Sequence, residues 1–407
     1  MFSHESKHSQ MASVVVIGAG PSGLCLARIL QINGVAVKVY EADASPTSRP
    51  QGGSLDLHKL TGQRAIAAAK LTDKFLEKTE AAADGMSIMD HVGTVLYTDT
   101  GDGSRPEIQR TALRDILLAS LEEGTVAWGH KLERIDPMVE SNNVAVHFSN
   151  GASVEAGFVV GADGTWSKVR PYLTSAIPSY TGVSLFDIHL PLDMDLSHFA
   201  RGTLVAMDKN KNVLMGHVLD IPNVYVSKWC NAPGELQKTS TPESILKDFA
   251  PQLRAMGQTS AAAIPRDIFA LPIGLTWTRD APWKNRLAII GDAAHVMSPF
   301  AGEGANLALA DAVDLANALI KVFQRQDWQE NVGAAVTAFE KKLMWPRSKN
   351  AAQESHDNLN MFYGDGGAPA LVQKFKEMMS WPNMIRMGLA GAWDYVLRLF
   401  GFDSAAY

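Results

Sequence analysis

Three glycine-rich turns, each with a carboxylate close by, are where this chain could do chemistry. The first is Gly18-Ala19-Gly20-Pro21-Ser22-Gly23. Gly18 permits a tight turn, Gly20 lets backbone approach a pyrophosphate, and Gly23 lets a helix pack closely on a strand. Amides at the start of the following helix, the positive end of its dipole, would hold phosphate oxygens, with Pro21 and Ser22 in the first turn. Glu41 stands 23 positions after Gly18, where an acid accepts hydrogen bonds from a ribose. A glycine pattern alone is weak evidence. Strand, helix, second strand and terminal acid in register point to a dinucleotide.

The second turn is Gly161-Ala162-Asp163-Gly164, followed by Ser167 and Arg170. Asp163 reads either as a ligand-facing acid or as part of an ordinary strand-end turn. The third begins Gly291-Asp292-Ala293-Ala294-His295 and continues through Pro299-Phe300-Ala301-Gly302-Glu303-Gly304-Ala305-Asn306. Asp292 can accept from a ribityl hydroxyl. The helix opened by Gly304, Ala305 and Asn306 would turn its amides toward an anion, and the N1–C2 edge of reduced flavin is one. His295 reads as a loop-holding side chain rather than a proton carrier. No acid–base triad and no zinc-type Cys/His spacing is present, so no residue is assigned as a catalytic acid or base and no metal site is expected.

The elements that must position these turns follow from periodicity. Residues 14–18 and 35–41 read as buried strands flanking a helix at 22–33, a βαβ unit of about thirty residues. A helix over 110–123 carries Leu113, Ile116, Leu117 and Leu121 at helical spacing. Strands at 144–148 and 153–160 form a hairpin turning at Asn150-Gly151. Residues 180–280 change character, with strand-like segments at 183–190, 213–219 and 224–229 separated by turns. A buried strand returns at 286–291, and a long helix runs over about 305–323. The tail after Gly364 is rich in Met, Trp and Phe and reads as two helices broken at Trp381-Pro382.

Composition narrows the class. The 407 residues are 46% hydrophobic and 20% charged, with a formal charge of −6. That charge argues against a nucleic-acid partner. Two cysteines, Cys25 and Cys230, exclude a disulfide framework and fit a reducing, cytoplasmic setting. No apolar run reaches the ~18–20 residues that span a bilayer. The short run at 14–17 flows into the glycine loop and reads as a first strand rather than a signal-peptide core.

Taken in order, the three turns resemble those of the single-component FAD-dependent aromatic-hydroxylase-type monooxygenases over roughly residues 12–325. Within that group the chain is similar to the tetracycline-inactivating monooxygenases. Gly52-Gly53-Ser54-Leu55-Asp56-Leu57-His58-Lys59 and Arg110-Thr111-Ala112-Leu113-Arg114-Asp115-Ile116-Leu117-Leu118 carry the likeness, as do Asp187-Ile188-His189 and Pro299-Phe300-Ala301-Gly302. The resemblance implies an α/β fold: a Rossmann-like FAD-binding domain interleaved with a β-sheet substrate domain, plus C-terminal helices. We expect a disordered tail at 1–11, a discontinuous FAD-binding domain at 12–175 and 281–325, a substrate domain at 176–280, and helices bridging the two at 326–407.

The resemblance also implies roles. Gly53, Ser54, Asp56, Arg110 and Arg114 would contact FAD, with Arg110 near its ribityl or isoalloxazine part and Asp56 beside the flavin. Asp292 would hold the ribityl chain. Arg49 would help receive NADPH (or NADH), which binds transiently because no second nucleotide-binding glycine motif occurs. Bland alternatives stand beside these: a helix-start ion pair for Arg110, a loop-ordering carboxylate for Asp56, a solvated loop arginine for Arg49. Phe186, His189, Tyr225, Pro299 and Phe300 are candidate substrate contacts, with core or strand-surface roles as the alternative for His189 and Tyr225. The tetracycline enzymes carry a glutamine where Leu185 or Phe186 stands and a histidine where Tyr225 stands, so this substrate face is more apolar. The activity implied is insertion of one oxygen atom from O2 into a polycyclic or phenolic compound through a flavin C4a-hydroperoxide, by a monomer. It would serve antibiotic inactivation or secondary-metabolite tailoring (epoxidation or Baeyer–Villiger insertion). A flavin oxidase or dehydrogenase, a reductase of the geranylgeranyl-reductase type, and a non-enzymatic FAD-binding protein are the competing classes.

Overall fold

Val14–Ile17 has no polar side chain, and a strand buried on both faces needs none. In the computed structural model, which describes residues 14–48, 52–80, 83–138, 143–258, 263–364 and 367–378, it is the centre of a five-stranded parallel sheet. The order is Leu287–Ile289, Phe158–Gly161, Val14–Ile17, Val37–Tyr40, Val126–Ala127. Its four residues are at most 3% exposed, each contributing on the order of 1.5–3 kcal/mol by burial. The helix Pro21–Ile32 packs the buried Leu24, Cys25 and Ala27 against this sheet and against the 20-residue helix Gly304–Phe323. Buried Ala310, Ala312 and Ala316 on the long helix keep that contact close.

The expected strand over 153–160 is two strands. Ser153–Ala156 is buried only at its last residue and pairs with Val144–Phe148, which alternates in burial, the turn carrying Gly151 at φ 84°. Phe158–Gly161, buried throughout, leaves the hairpin and joins the parallel sheet. The burial pattern decides the split: a one-sided strand suits the hairpin, a two-sided one the sheet interior.

The second layer is a seven-stranded sheet. Its order is Ile264–Ala270, Ser179–His189, Asn223–Trp229, Asn212–Val218, Gly202–Met207, Met86–Asp90, Val95–Asp99. The last two strands come from the stretch expected to belong with the FAD-binding part, and Met86–Asp90 pairs in parallel with Gly202–Met207. One face carries Phe186, Ile188 and Leu190, covered by Ile245, Leu253 and Met256 of two short helices. The opposite face gathers Ile88, Val183, Val205 and Val213 with Phe300, Phe362 and Leu371. A three-stranded sheet, Ser54–Asp56, Glu107–Gln109 and Thr79–Glu80, lies at one end of this layer.

After the long helix come Trp328–Phe339, Trp345–Phe362 and Gly367–Met378. They are tied in by a bidentate pair in which Arg279 donates to both carboxylate oxygens of the fully buried Glu340 at 2.7 Å. The expected break at 381–382 and the expected tail at 1–11 lie outside the described residues. Among the described residues no helix is long and apolar enough to cross a membrane.

Candidate active site at the carboxyl ends of the parallel strands

The three turns meet because the three strands that precede them are neighbours. A methyl added at Gly18 would fall 2.3 Å from the Ala162 carbonyl, and one at Gly23 would fall 2.2 Å from the Gly18 carbonyl. One at Gly291 would lie 3.2 Å from Ser22 Oγ. Gly18 and Gly23 are required by close backbone approach within the protein, and Gly291 by its left-handed φ of 61°. Gly20, Gly164 and Gly304 are different: a methyl at any of them meets nothing within 4 Å. The fold leaves open space beside one glycine of each turn. Arg170 joins two turns directly, donating to the Ala293 carbonyl at 3.0 Å and to the Thr165 carbonyl at 2.7 Å.

Glu41 and Arg114 act on the first turn. Glu41 Oε2 accepts from the Ala19 amide at 2.6 Å and Oε1 from the Asp43 amide at 2.9 Å. Arg114, 5% exposed, reaches the Ala19 carbonyl at 3.4 Å and the Pro46 carbonyl at 2.8 Å, with Trp128 stacked on its guanidinium. Asp163 takes the Lys168 amide on Oδ2, while its buried Oδ1 has no hydrogen-bond partner. Burial raises its pKa above the ordinary carboxylate value. Asp292 is exposed at the end of a wholly buried strand.

The 52–59 stretch connects these turns to the large sheet. Arg110 opens its helix with its amide on the Gly53 carbonyl at 3.0 Å. Asp56 lies against the third turn: a methyl at Gly302, which sits in the left-handed region at φ 69°, would be 3.8 Å from Asp56 Oδ1. His58 bridges Asp56 at 3.0 Å and Glu303 at 3.1 Å. The hydrogen bonds to Asp56 and then Glu303 push the His58 pKa up to about 9. Burial works to raise the pKa of Asp56, but the hydrogen bond and charge of His58, with Arg105 3.9 Å away, hold it below the usual range. On the other side, a methyl at Gly52 would meet the His189 ring at 2.4 Å, and one at Gly53 would meet the Tyr225 hydroxyl at 2.4 Å.

Comparison with known proteins gives this arrangement its family. The FAD binding domain family matches residues 11–331. The chain belongs to that family. The FAD-dependent monooxygenase vrtH of Penicillium aethiopicum is 31% identical, covering 80% of this chain and 87% of its own. Monooxygenase asqM of Emericella nidulans is 27% identical, covering 86% and 96%. Among solved structures, HpxO of Klebsiella pneumoniae, complexed with FAD and uric acid, superposes with a TM-score of 0.73 at 20% identity, covering 89% of this chain and 92% of that one. The tetracycline destructase Tet(55) superposes at 0.69 and 18% identity, covering 91% and 95%. The chain is thus a member of the FAD-dependent monooxygenase family, an oxidoreductase with the FAD-dependent hydroxylase fold.

The residues present fit FAD. Three turns converge, each with a glycine facing open space, and a buried Asp163 oxygen lacks a protein partner. Several expectations are redirected. Phe186 was expected to touch substrate, but strand alternation turns it to the far face, among Ile245, Leu253 and Met256. Leu185, one residue earlier, shares the near face with Asp187 and His189. Asn306 is fully buried, and its side chain is spent within the protein. Its Oδ1 accepts from the His58 amide at 2.8 Å and its Nδ2 donates to the Asp56 carbonyl at 2.9 Å. What it can offer a cofactor is backbone. Phe300 is 8% exposed and packs on Phe362 and Tyr363, whereas Pro299 beside it is exposed. Arg49 lies outside the described residues.

Sequence reasoning missed the support of the third turn. His295 Nε2 contacts Asp311 Oδ2 at 2.5 Å, and the Gly291 amide donates to that oxygen at 3.1 Å. Arg347 holds Asp311 at 2.9 Å and Asp314 at 2.7 Å, and Arg64 holds Asp314 at 2.8 Å. Burial works against a charged His295, but the Asp311 carboxylate prevails and raises its pKa. The loop-holding role read for His295 matches this geometry. Two aspartates three apart, in a stretch from Leu307 to Ala316 whose other residues are all apolar, were the available signal for a buried cation.

Proposed function

We propose that this chain uses NAD(P)H and O2 to place one oxygen atom in a polycyclic or phenolic small molecule, as a secondary-metabolite tailoring or tetracycline-like hydroxylating enzyme. The observation that carries the reading is the junction at Gly52-Gly53, where the three-turn cradle abuts the near face of the large sheet. That face carries Leu185, Met215 and Tyr225, with Phe300 closing it from the third turn. An apolar wall of this kind suits a fused-ring or aryl body. The fungal relatives, whose names mark them as monooxygenases, support the reaction class.

In this reading Gly18, Gly20, Pro21, Ser22 and Gly23 hold the pyrophosphate at a helix N-terminus. Glu41, already oriented by two amides, takes a ribose hydroxyl on its remaining lone pairs. Asp163 and Asp292 bind from the neighbouring strand ends, Asp292 to the ribityl chain. The amides of Gly304, Ala305 and Asn306 face the flavin ring, with Gly302 shaping the turn before them, its own amide on the Pro299 carbonyl at 3.0 Å. Gly53, Ser54, Asp56 and Arg110 lie around the ring, and Arg114 reaches FAD from beside the first turn. Bound FAD supplies hydride acceptance and oxygen activation. The protein residues orient the substrate and exclude water. His189, Tyr225, Pro299 and Phe300 remain proposed substrate contacts, and Phe186 does not. Arg49 receives NADPH. The FAD-binding part comprises residues 12–175 and 281–325, apart from the 86–99 hairpin; the two free, buried cysteines fit a cytoplasmic setting, and the enzyme acts as a monomer in this reading.

The test is aerobic incubation of the FAD-loaded protein with NADPH and a panel of phenolic polyketides and tetracyclines, read by mass spectrometry. A product heavier by one oxygen is expected. Hydrogen peroxide with no oxygenated product would make the chain an oxidase. Arg49→Ala should raise the KM for NADPH while leaving FAD content unchanged, and Asp292→Ala should purify with much less FAD.

A further inference from the structure

Buried polar side-chain atoms in folded proteins are nearly always hydrogen-bonded, so several unpaired ones in one place call for a partner that the protein itself does not supply. Such a set lies where the three-stranded sheet meets the large one. Glu107 is 2% exposed, and its Oε2 has no hydrogen-bond partner. Asn223 is 1% exposed, and neither end of its amide completes a hydrogen bond, although it lies beside the Tyr225 hydroxyl. His217 stands directly opposite Asn223 on the adjacent strand. Its Nδ1 is 3.6 Å from Glu107 Oε1, an ion-pair separation longer than a hydrogen bond. Ser54, 8% exposed, also has an unpartnered hydroxyl.

This set continues the proposed substrate wall. Asn223 and Tyr225 are two apart on one strand and share a face, as do His217 and Met215 on the next. A methyl built at Gly53 would lie 2.4 Å from the Tyr225 hydroxyl and 3.7 Å from Asn223 Nδ2. The two glycines in sequence therefore bring the backbone directly against His189 and Tyr225, so this loop borders both the wall and the polar set. The chemistry of the set is mixed. Glu107 Oε2 and Asn223 Oδ1 accept, Asn223 Nδ2 donates, and Ser54 and His217 can do either. A group that both donates and accepts satisfies such a set. A carboxylate cannot donate to Glu107 and would place like charges together.

We propose that Ser54, Glu107, His217 and Asn223 form a polar subsite that takes a neutral hydroxyl or amide at one end of the substrate and so fixes which end of the molecule enters. This rests on the reading above that an apolar fused-ring body lies along Leu185, Met215 and Tyr225. Sites built to bond a hydroxyl discriminate strongly against analogues lacking it, because their own polar atoms are then left unpaired.

The FAD-loaded chain, without nicotinamide, is titrated with 9-hydroxyphenanthrene, 9-methoxyphenanthrene and phenanthrene-9-carboxylate, and Kd is read from the perturbed flavin absorbance. The hydroxy compound should bind about tenfold or more tighter than its methyl ether, with the carboxylate weakest. Asn223→Leu, close in size, should remove that preference while leaving ether binding within about twofold. Glu107→Gln, which keeps the shape, should reduce it about tenfold, and it carries the test if Asn223→Leu does not fold. Equal affinity for phenol and ether in the unaltered protein, an unchanged ratio in both variants, tighter carboxylate binding, or no binding of the phenol would each overturn the subsite. Its polar atoms would then be paired by water alone. The broader reading fails separately, if aerobic turnover with NADPH yields no oxygenated product from any compound.

Discussion

Replacing Gly20 by alanine separates the needs of the fold from those of the cofactor. Gly20 caps the helix Pro21–Ile32 at φ −77° and ψ 174°, a conformation open to any residue. An added methyl meets no protein atom within 4 Å. The unfolded chain loses freedom when glycine becomes alanine, which stabilises the fold by about 0.4–1 kcal/mol. Alanine is the poorer N-cap, by about 0.5–1 kcal/mol. These nearly cancel, so the apoprotein should keep its stability to within about 0.5 kcal/mol. The open space is the space a pyrophosphate would fill. Losing one charge-assisted amide–phosphate bond costs about 1.5–3 kcal/mol, or roughly 10- to 150-fold in Kd. Gly18→Ala gives the opposite outcome. Its φ of 106° strains any L side chain, and its methyl would stand 2.3 Å from the Ala162 carbonyl. The apoprotein itself should lose about 3 kcal/mol or more. The assays are urea unfolding of the apoprotein and titration with FAD followed by flavin fluorescence. Wild-type FAD affinity in Gly20→Ala would refute the placement of the pyrophosphate. A large loss of apoprotein stability in the same variant would refute the argument that only a ligand requires glycine there.

Other outcomes follow from the same geometry. Arg347→Met removes the cation from the fully buried Asp311 and from Asp314, and should cost about 3–5 kcal/mol in urea unfolding; a loss below about 1 kcal/mol would show that His295 and Arg64 suffice. His58 has a folded pKa of about 9, above its ordinary 6.5, so its contribution is fully present below about pH 6.5 and fades as pH rises through 9. The stability gap between the native chain and His58→Gln should therefore be at most about 3 kcal/mol at pH 6 and close at pH 10; a gap that does not depend on pH would exclude a charged clamp. Phe186→Ala should lower stability by about 3–5 kcal/mol without changing substrate preference. Leu185→Gln, at a position only 5% exposed, should shift preference toward more polar substrates and cost about 1–3 kcal/mol, less than Phe186→Ala. The reverse pattern, seen in product profiles and melting curves, would mean the strand faces the other way.

The sequence by itself determined the cofactor class. Backbone approach to a diphosphate needs glycine at particular positions, and the turns at 18–23, 161–164 and 291–306 state that need locally. Strand 14–17 and the helix near 304–323 were legible too, because uniform burial and 3.6-residue periodicity are properties of short windows. Other features were decided only by tertiary structure. Phe186 and Leu185 are equally apolar neighbours, and which one faces the site depends on which side of the sheet the short helices at 242–258 cover. Glu107 lies more than a hundred residues before His217 and Asn223, which face each other on consecutive strands, and only the meeting of the two sheets brings the three side chains together. The clamp of His58 between Asp56 and Glu303, and the ties of Arg347 to Asp311 and Asp314, likewise join residues whose spacing along the chain carries no period. Close packing of glycine against backbone is written into a few adjacent residues, whereas pairing of buried charges is settled only when distant elements dock.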